Sequence, residues 1–260
     1  MEGSQMLWSL YAPILATLPR VSATIIVAPV FPSSVFPRFL RGAIGVALSL
    51  YLYPHMAAHM PTDLSMLAWL GLIAKESLIG ALLGLAIGSL IWAFECAGAL
   101  FDFQTGFANG RIFDPFGGHE SGPLSVFMMR LGTVLFVTTG GLQILVSLLL
   151  ESFRLWPVGS FTPSWSHFDA FAGGQIVTLM DVVVRLAAPV VLLLALIDLG
   201  FGLVSRVVPQ LNVFFFTMPI KGALAALMIA LYLSYVSDLL AGQMSGLGTW
   251  LDQLRPVLSK

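Results

Sequence analysis

The sequence predicts an all-α, polytopic membrane protein, with about six hydrophobic segments forming long kinked helical hairpins around a glycine-rich internal loop. Three observations predict it. The chain has 260 residues, 58% hydrophobic and only 10% charged, where soluble domains carry roughly 25% charged residues. Mean hydropathy is +0.93, and several apolar runs exceed the roughly 20 residues that span a bilayer. The third observation is an interruption: Gln104 to Pro123 breaks the apolar pattern with Gly106, Gly110, Gly117, Gly118 and Gly122. A net charge of −1 offers no basic surface for nucleic acid. The single cysteine, Cys96, excludes an internal disulfide and a cysteine-based zinc site. The N-terminus lacks a basic region and a small-residue cleavage site, so no removable signal peptide is expected.

The first apolar segment, Leu7 to Phe31, contains Pro13, Pro19 and Pro29, with Arg20 near its middle. Each interior proline removes a backbone donor and crowds the preceding turn, so a kinked or broken helix is expected. A proline-bracketed turn from Phe31 to Pro37 follows, then Arg38 and Arg41. Gly42 to Tyr53 is short, roughly 18 Å as a helix. His55 and His59 stand four apart with Asp63 beyond, a spacing seen in metal sites, but no third ligand is evident. Interfacial polar residues are the reading taken.

Leu64 to Phe103 runs without a proline. As one helix it would be about 60 Å long against a hydrocarbon core of about 30 Å. It is either a helical hairpin bent near a glycine or a long helix that projects beyond the bilayer. Gly80, Gly84 and Gly88 line one face of it, where a neighbouring backbone can approach closely, either within the chain or from another subunit. Glu76 lies one turn before that stripe, and Glu95 falls within about 20° of the same face. A carboxylate facing lipid costs about 2.5–3.5 kcal/mol, so both glutamates are expected to face protein or water.

The Gln104–Pro123 loop carries Phe107, Ile112, Phe113 and Phe116 on a backbone too rich in glycine to continue a helix. It reads either as a plug held between membrane helices or as a surface connection, since loops of this length are functional or disordered. Leu124 to Leu150 is a spanning candidate with Gly140-Gly141 as a bend. Glu151 to Gly174 is polar and aromatic, with the interface-seeking Trp156 and Trp165. In the next run, Ile176 to Ser205, Asp181 and Arg185 can pair at i, i+4, Pro189 should kink the helix, and Asp198 has no obvious local partner. Gly222 to Leu240 is the last apolar helix, followed by a weakly amphipathic tail, 242–260. Arg38, Arg41, Arg111 and Arg206 against Arg154, Arg255 and Lys260 leave orientation undecided.

No phosphate-binding loop, zinc-protease motif or nucleophile elbow occurs, and Gly106 to Gly110 follows no strand, so neither an enzyme nor a cofactor is expected. Two stretches carry a resemblance instead. One runs from Phe94-Glu95-Cys96-Ala97-Gly98 through Gln104-Thr105-Gly106 to Asp114-Pro115. The other is Pro209-Gln210-Leu211-Asn212-Val213-Phe214 with Met218-Pro219-Ile220-Lys221. Together they resemble the FliR/SctT family of type III secretion export-apparatus proteins, over essentially the whole chain. Ser152 to Pro157 leans toward the injectisome branch over the flagellar one.

The resemblance implies a non-enzymatic subunit of a protein-conducting export gate, one membrane domain over 1–260 in the bacterial inner membrane. It implies a single copy joined to five copies of one small membrane protein and four of another. The large export-gate protein and the switch protein are implied neighbours, membrane lipid surrounds the base, and unfolded secreted proteins pass through. The family assembly sits largely above the membrane plane, raised toward the periplasm within the basal body, so hydrophobic segments need not all cross lipid. The family's plug loop falls on Gly106, Phe107, Asn109, Gly110, Phe113, Asp114, Pro115, Phe116, Gly117 and Gly118. Gly80, Gly84, Gly88 and Glu95 are the expected packing or subunit-contact positions. Pro209, Gln210, Leu211, Asn212, Pro219 and Lys221 form the inter-helix turn motif. The alternative is a stand-alone secondary transporter, with a midplane site built from Glu95, Asp181 and Asp198 on helices broken at Pro13, Pro19 and Pro189. No internal symmetry of the kind such transporters show is visible.

Overall fold

The computed structural model describes residues 2–32, 35–56, 65–107, 122–159, 168–208 and 213–258. Among them every regular element is helical. The elements are α1 (Glu2–Val27), α2 (Arg38–Met56), α3 (Met66–Thr105), α4 (Pro123–Thr138), α5 (Gly141–Leu155), α6 (Phe168–Val207), α7 (Val213–Leu231) and α8 (Leu233–Leu258). The six hydrophobic segments are α1, α2, α3, the α4–α5 pair, α6 and the α7–α8 pair. Two helices, α3 and α6, are long and apolar enough to cross a membrane, or up to four spans if each bent pair counts as one. The protein is an all-α membrane protein.

Local chemistry sets most of the boundaries. Helix α1 runs continuously through Pro13 and Pro19 instead of breaking there. It ends where Ala28 donates to Thr24, just before Pro29. Pro32 accepts from Val35 and Phe36, which turns the chain into α2. The Ser65 hydroxyl accepts from the Ala68 N–H at 3.3 Å and caps α3. Helix α3 is one element of 40 residues, which decides against the hairpin reading. It runs unbroken through Gly80, Gly84 and Gly88. Gly106, at φ 89°, ends it, with its N–H reaching Phe103. Gly140, at φ 90°, separates α4 from α5, so the expected glycine bend lies where the sequence placed it.

The final apolar segment breaks where no glycine or proline marks it. Helices α7 and α8 meet at Tyr232 with a bend of 57°. The Tyr232 hydroxyl donates to the carbonyls of Arg185 at 2.8 Å and Leu186 at 3.1 Å. Pro189 has no N–H to give to the Arg185 carbonyl four residues back. Tyr232 therefore supplies the donor that Pro189 lacks. The tail from Gly242 continues α8 as helix to Leu258.

The chain folds as two compact units. One comprises 1–89, 140–176 and 244–260, the other 90–139 and 177–243. In the first, α2 packs on α1 and touches α5. A β-carbon at Gly80 would collide with the Arg20 carbonyl and lie 2.9 Å from that of Ala23, and one at Gly84 would lie 2.7 Å from that of Val27. At Gly80 and Gly84 the glycine face therefore packs against α1 of the same chain. Around it Ala16, Val21, Ile25, Ile79, Leu83 and Ile87 are buried. In the second unit, Gly98 seats the start of α4, its β-carbon position 2.6 Å from the Leu124 carbonyl oxygen, and Gly132 packs on the Phe94 ring. Phe94, Phe101, Met128, Phe136, Leu186, Leu194 and Ala225 fill its core.

Candidate functional site at the end of α3

The last turn of α3 gathers polar side chains from three helices. The Lys221 ammonium, on α7, donates to the Gln104 carbonyl at 2.7 Å. That carbonyl belongs to the final turn of α3, whose oxygens lack intrahelical donors and where a cation is favoured. Asp198, on α6, pairs with the same ammonium. It also accepts from the Gln104 side-chain amide at 3.1 Å. Asp198 thus has two partners, one contributed by α3 and one by α7, neither foreseeable from its own helix. Lys221 is nearly buried while Asp198 stays 44% exposed. The exposed side opens on a cleft of about 450 Å³ lined by Phe103, Gln104, Gly106, Asp198, Ser205 and Thr217, among others.

Both ends of the glycine-rich loop are tied to this turn. Gly106 begins the loop, and the Phe107 ring lies over Gly222, where a β-carbon would sit 2.6 Å from Cζ. At the far end, the Asp102 carboxylate accepts the N–H groups of Leu124 at 3.0 Å and Ser125 at 2.8 Å. A carboxylate there satisfies donors that the first turn of α4 leaves open, in the favoured dipole sense. Gly122 passes so close to that carboxylate that no side chain fits. Ser125 also donates to the Glu95 carbonyl at 3.2 Å, tying α4 back to α3.

Of the expected plug residues, Gly106 and Phe107 are therefore placed at the exit of α3. Asn109, Gly110, Phe113, Asp114, Pro115, Phe116, Gly117 and Gly118 lie outside the described residues, as do Pro209, Gln210, Leu211 and Asn212 of the turn motif. Pro219 sits within α7, two residues before Lys221. Gly88 is buried and Glu95 half-buried on α3. Asp181 and Arg185 pair at 2.8 Å on the exposed side of α6, as their spacing predicts. His59 and Asp63 lie outside the described residues.

A second cluster, in the other unit, was not legible as a constellation. Arg20 is fully buried and bonds Glu76 at 2.5 Å, the Ser152 hydroxyl at 3.1 Å and the Trp156 carbonyl at 3.0 Å. Its guanidinium also lies 3.9 Å from the centre of the Phe153 ring. Lys75 holds the other Glu76 oxygen at 2.9 Å and donates to the Val158 carbonyl at 2.9 Å. The signal was a lone arginine in one apolar run and a Lys75-Glu76 pair in another, charges that must be neutralised where lipid surrounds them.

The geometry joins the two stretches that carried the resemblance: Gln104 belongs to the first and Lys221 to the second, and they are in direct contact. A profile of the family described as bacterial export proteins, family 1, matches residues 11–247. The chain belongs to this family. It is 32% identical to Yop proteins translocation protein T of Yersinia pestis, over 83% of each chain. It is 30% identical to surface presentation of antigens protein SpaR of Salmonella typhimurium, over 89% of this chain and 88% of the other. The flagellar biosynthetic protein FliR of Bacillus subtilis is also 30% identical, over 87% and 88%. These relatives, named for protein translocation, for surface presentation of antigens and for flagellar biosynthesis, match at similar identity. In this bacterial export protein, Lys221 brings the two family-like stretches together across 117 residues of sequence.

Proposed function

We propose that this chain is a non-enzymatic subunit of a type III secretion export gate in the bacterial inner membrane. It acts as one functional domain, forms part of the protein-conducting pore, and contributes the segment from Gly106 to about Gly122 as the plug. The single observation that carries this reading is the contact between Lys221 and the Gln104 carbonyl. It fixes the root of a glycine-rich, phenylalanine-bearing segment, as a plug requires: a firm base and a backbone free to fold into a cavity. The names of the relatives support the export assignment, and Ser152 to Pro157 supports the injectisome branch.

The partners in this reading are two small export-apparatus membrane proteins, with this chain as the single copy. The large export-gate protein and the switch protein lie beside them, and unfolded secreted proteins are the cargo. The transporter alternative needs carboxylates able to take a coupling ion. The pairing of Asp181 with Arg185 and of Asp198 with Lys221 counts against it.

The test is potassium efflux from proteoliposomes holding the gate complex purified after co-expression of this chain with its neighbouring genes. Deleting Phe107–His119 should leave the complex assembled and leaky. An assembled complex that is no leakier than the intact one would refute the plug role.

A further inference from the structure

We propose that the Asp198–Lys221 pair is a latch on the last turn of α3, and that its release sets how readily the gate opens. This inference rests on the plug reading above. Three features distinguish the pair from an ordinary stabilising contact. First, Lys221 spends its second interaction on the main chain of α3, at the Gln104 carbonyl, two residues before the helix ends at Gly106. Second, Asp198 grips both sides of the junction, the Lys221 ammonium and the Gln104 side-chain amide, so α3, α6 and α7 are pinned at one residue. Third, the residue after Lys221 is Gly222, on which the Phe107 ring rests. Consecutive residues of α7 thus hold the last turn of α3 and the first bulky side chain beyond it.

The latch is built to be broken from one side. Lys221 is nearly buried, whereas the Asp198 carboxylate is 44% exposed on the cleft of about 450 Å³. An ion pair open to water on one face is weaker than a buried one and can exchange partners. Losing the Asp198 carboxylate removes two of the three contacts at this junction and leaves the Lys221–Gln104 bond to hold the end of α3 alone. The same turn still holds Asp102 against the N–H groups of α4, so the return end of the segment stays anchored while the exit end is released.

The experiment compares Lys221→Met, Asp198→Asn, Lys221→Arg and Gly222→Ala with the Phe107–His119 deletion, in the potassium-efflux assay on the assembled complex. Lys221→Met and Asp198→Asn should each raise efflux roughly tenfold, the change in an equilibrium that follows loss of about 1.4 kcal/mol. Lys221→Arg keeps the charge and should stay near the intact level. Gly222→Ala should leak by displacing Phe107 with the ion pair untouched. The deletion sets the upper limit. If the deletion leaks while Lys221→Met and Asp198→Asn do not, the latch is overturned and the plug stands. If the deletion itself does not leak, the plug reading fails and the latch with it. Should Lys221→Met not assemble, the half-exposed Asp198→Asn carries the test. Failure of both to assemble would make the pair a folding element and overturn the latch.

Discussion

The Lys221 ammonium sits 2.7 Å from the Gln104 carbonyl oxygen, a hydrogen bond from the third turn of α7 to the end of α3. Gln104 lies just before the glycine-rich segment, and Lys221 ends the Met218-Pro219-Ile220-Lys221 run. Neither residue explains itself. Gln104 offers a carbonyl without a helical donor, and Lys221 is a cation nearly out of reach of water. Each satisfies the other's requirement, and Asp198 neutralises the charge that remains.

The buried Arg20–Glu76 pair supports α1 against α3 in the same way, with harsher energetics. Removing one partner leaves the other charged and enclosed, at a cost of about 3–5 kcal/mol. Glu76→Ala should therefore abolish accumulation of the folded chain or lower its melting temperature sharply in detergent. A melting curve unchanged from the intact protein would contradict the network.

The glycine face of α3 separates packing within the chain from packing between subunits. Gly84→Leu should destabilise the chain expressed without partners, since the added side chain meets Val27. Gly80→Ala should do worse than Gly84→Ala, because its added carbon would overlap the Arg20 carbonyl outright, whereas at Gly84 the Val27 β-carbon lies 2.7 Å and the Thr24 carbonyl 3.0 Å away. Protease resistance of the isolated chain in detergent measures both. A defect seen only in the presence of other subunits would point to an intersubunit role instead.

Tyr232 and Pro189 should be coupled. Tyr232→Phe removes the donor to the Arg185 carbonyl, a net loss of about 0.5–1.5 kcal/mol. In a Pro189→Ala background the alanine N–H can return to that carbonyl, so the same substitution should cost less. Thermal unfolding of the two single variants and the double variant gives the coupling directly. Strict additivity would show that Tyr232 does not stand in for the missing donor.

Asp102 is the counterpart of a capping residue, supplied from another helix. Asp102→Ala should weaken the start of α4 by about 0.5–2 kcal/mol, the range for loss of an N-terminal cap. Hydrogen exchange at Leu124 and Ser125 should accelerate while exchange at the middle of α6 stays unchanged. Equal acceleration at both would mean global destabilisation instead of local fraying.

What the sequence revealed, and what it hid, divides along the range of the forces. Apolar run length alone located the six segments, and Gly140-Gly141 marked its own bend because a glycine at positive φ is a local signal. Asp181 and Arg185 were readable because helix spacing brings them together. Asp198 was not, since Lys221 lies 23 positions along the chain, beyond a turn. Arg20 and Glu76 are 56 residues apart. The role of Tyr232 was invisible because the carbonyl it serves, left without a donor by Pro189, lies on a different helix. Helix α3 was ambiguous for a related reason: evenly spaced glycines permit a bend and also permit close packing, and only the position of α1 decides.

Membership of a hetero-oligomeric gate can be read from native mass spectrometry of the chain purified in mild detergent after co-expression with its neighbouring genes. The expected result is a single copy of this chain inside a large complex of small hydrophobic membrane proteins. A chain that flies alone or as a homodimer, beside well-expressed neighbours, would contradict it.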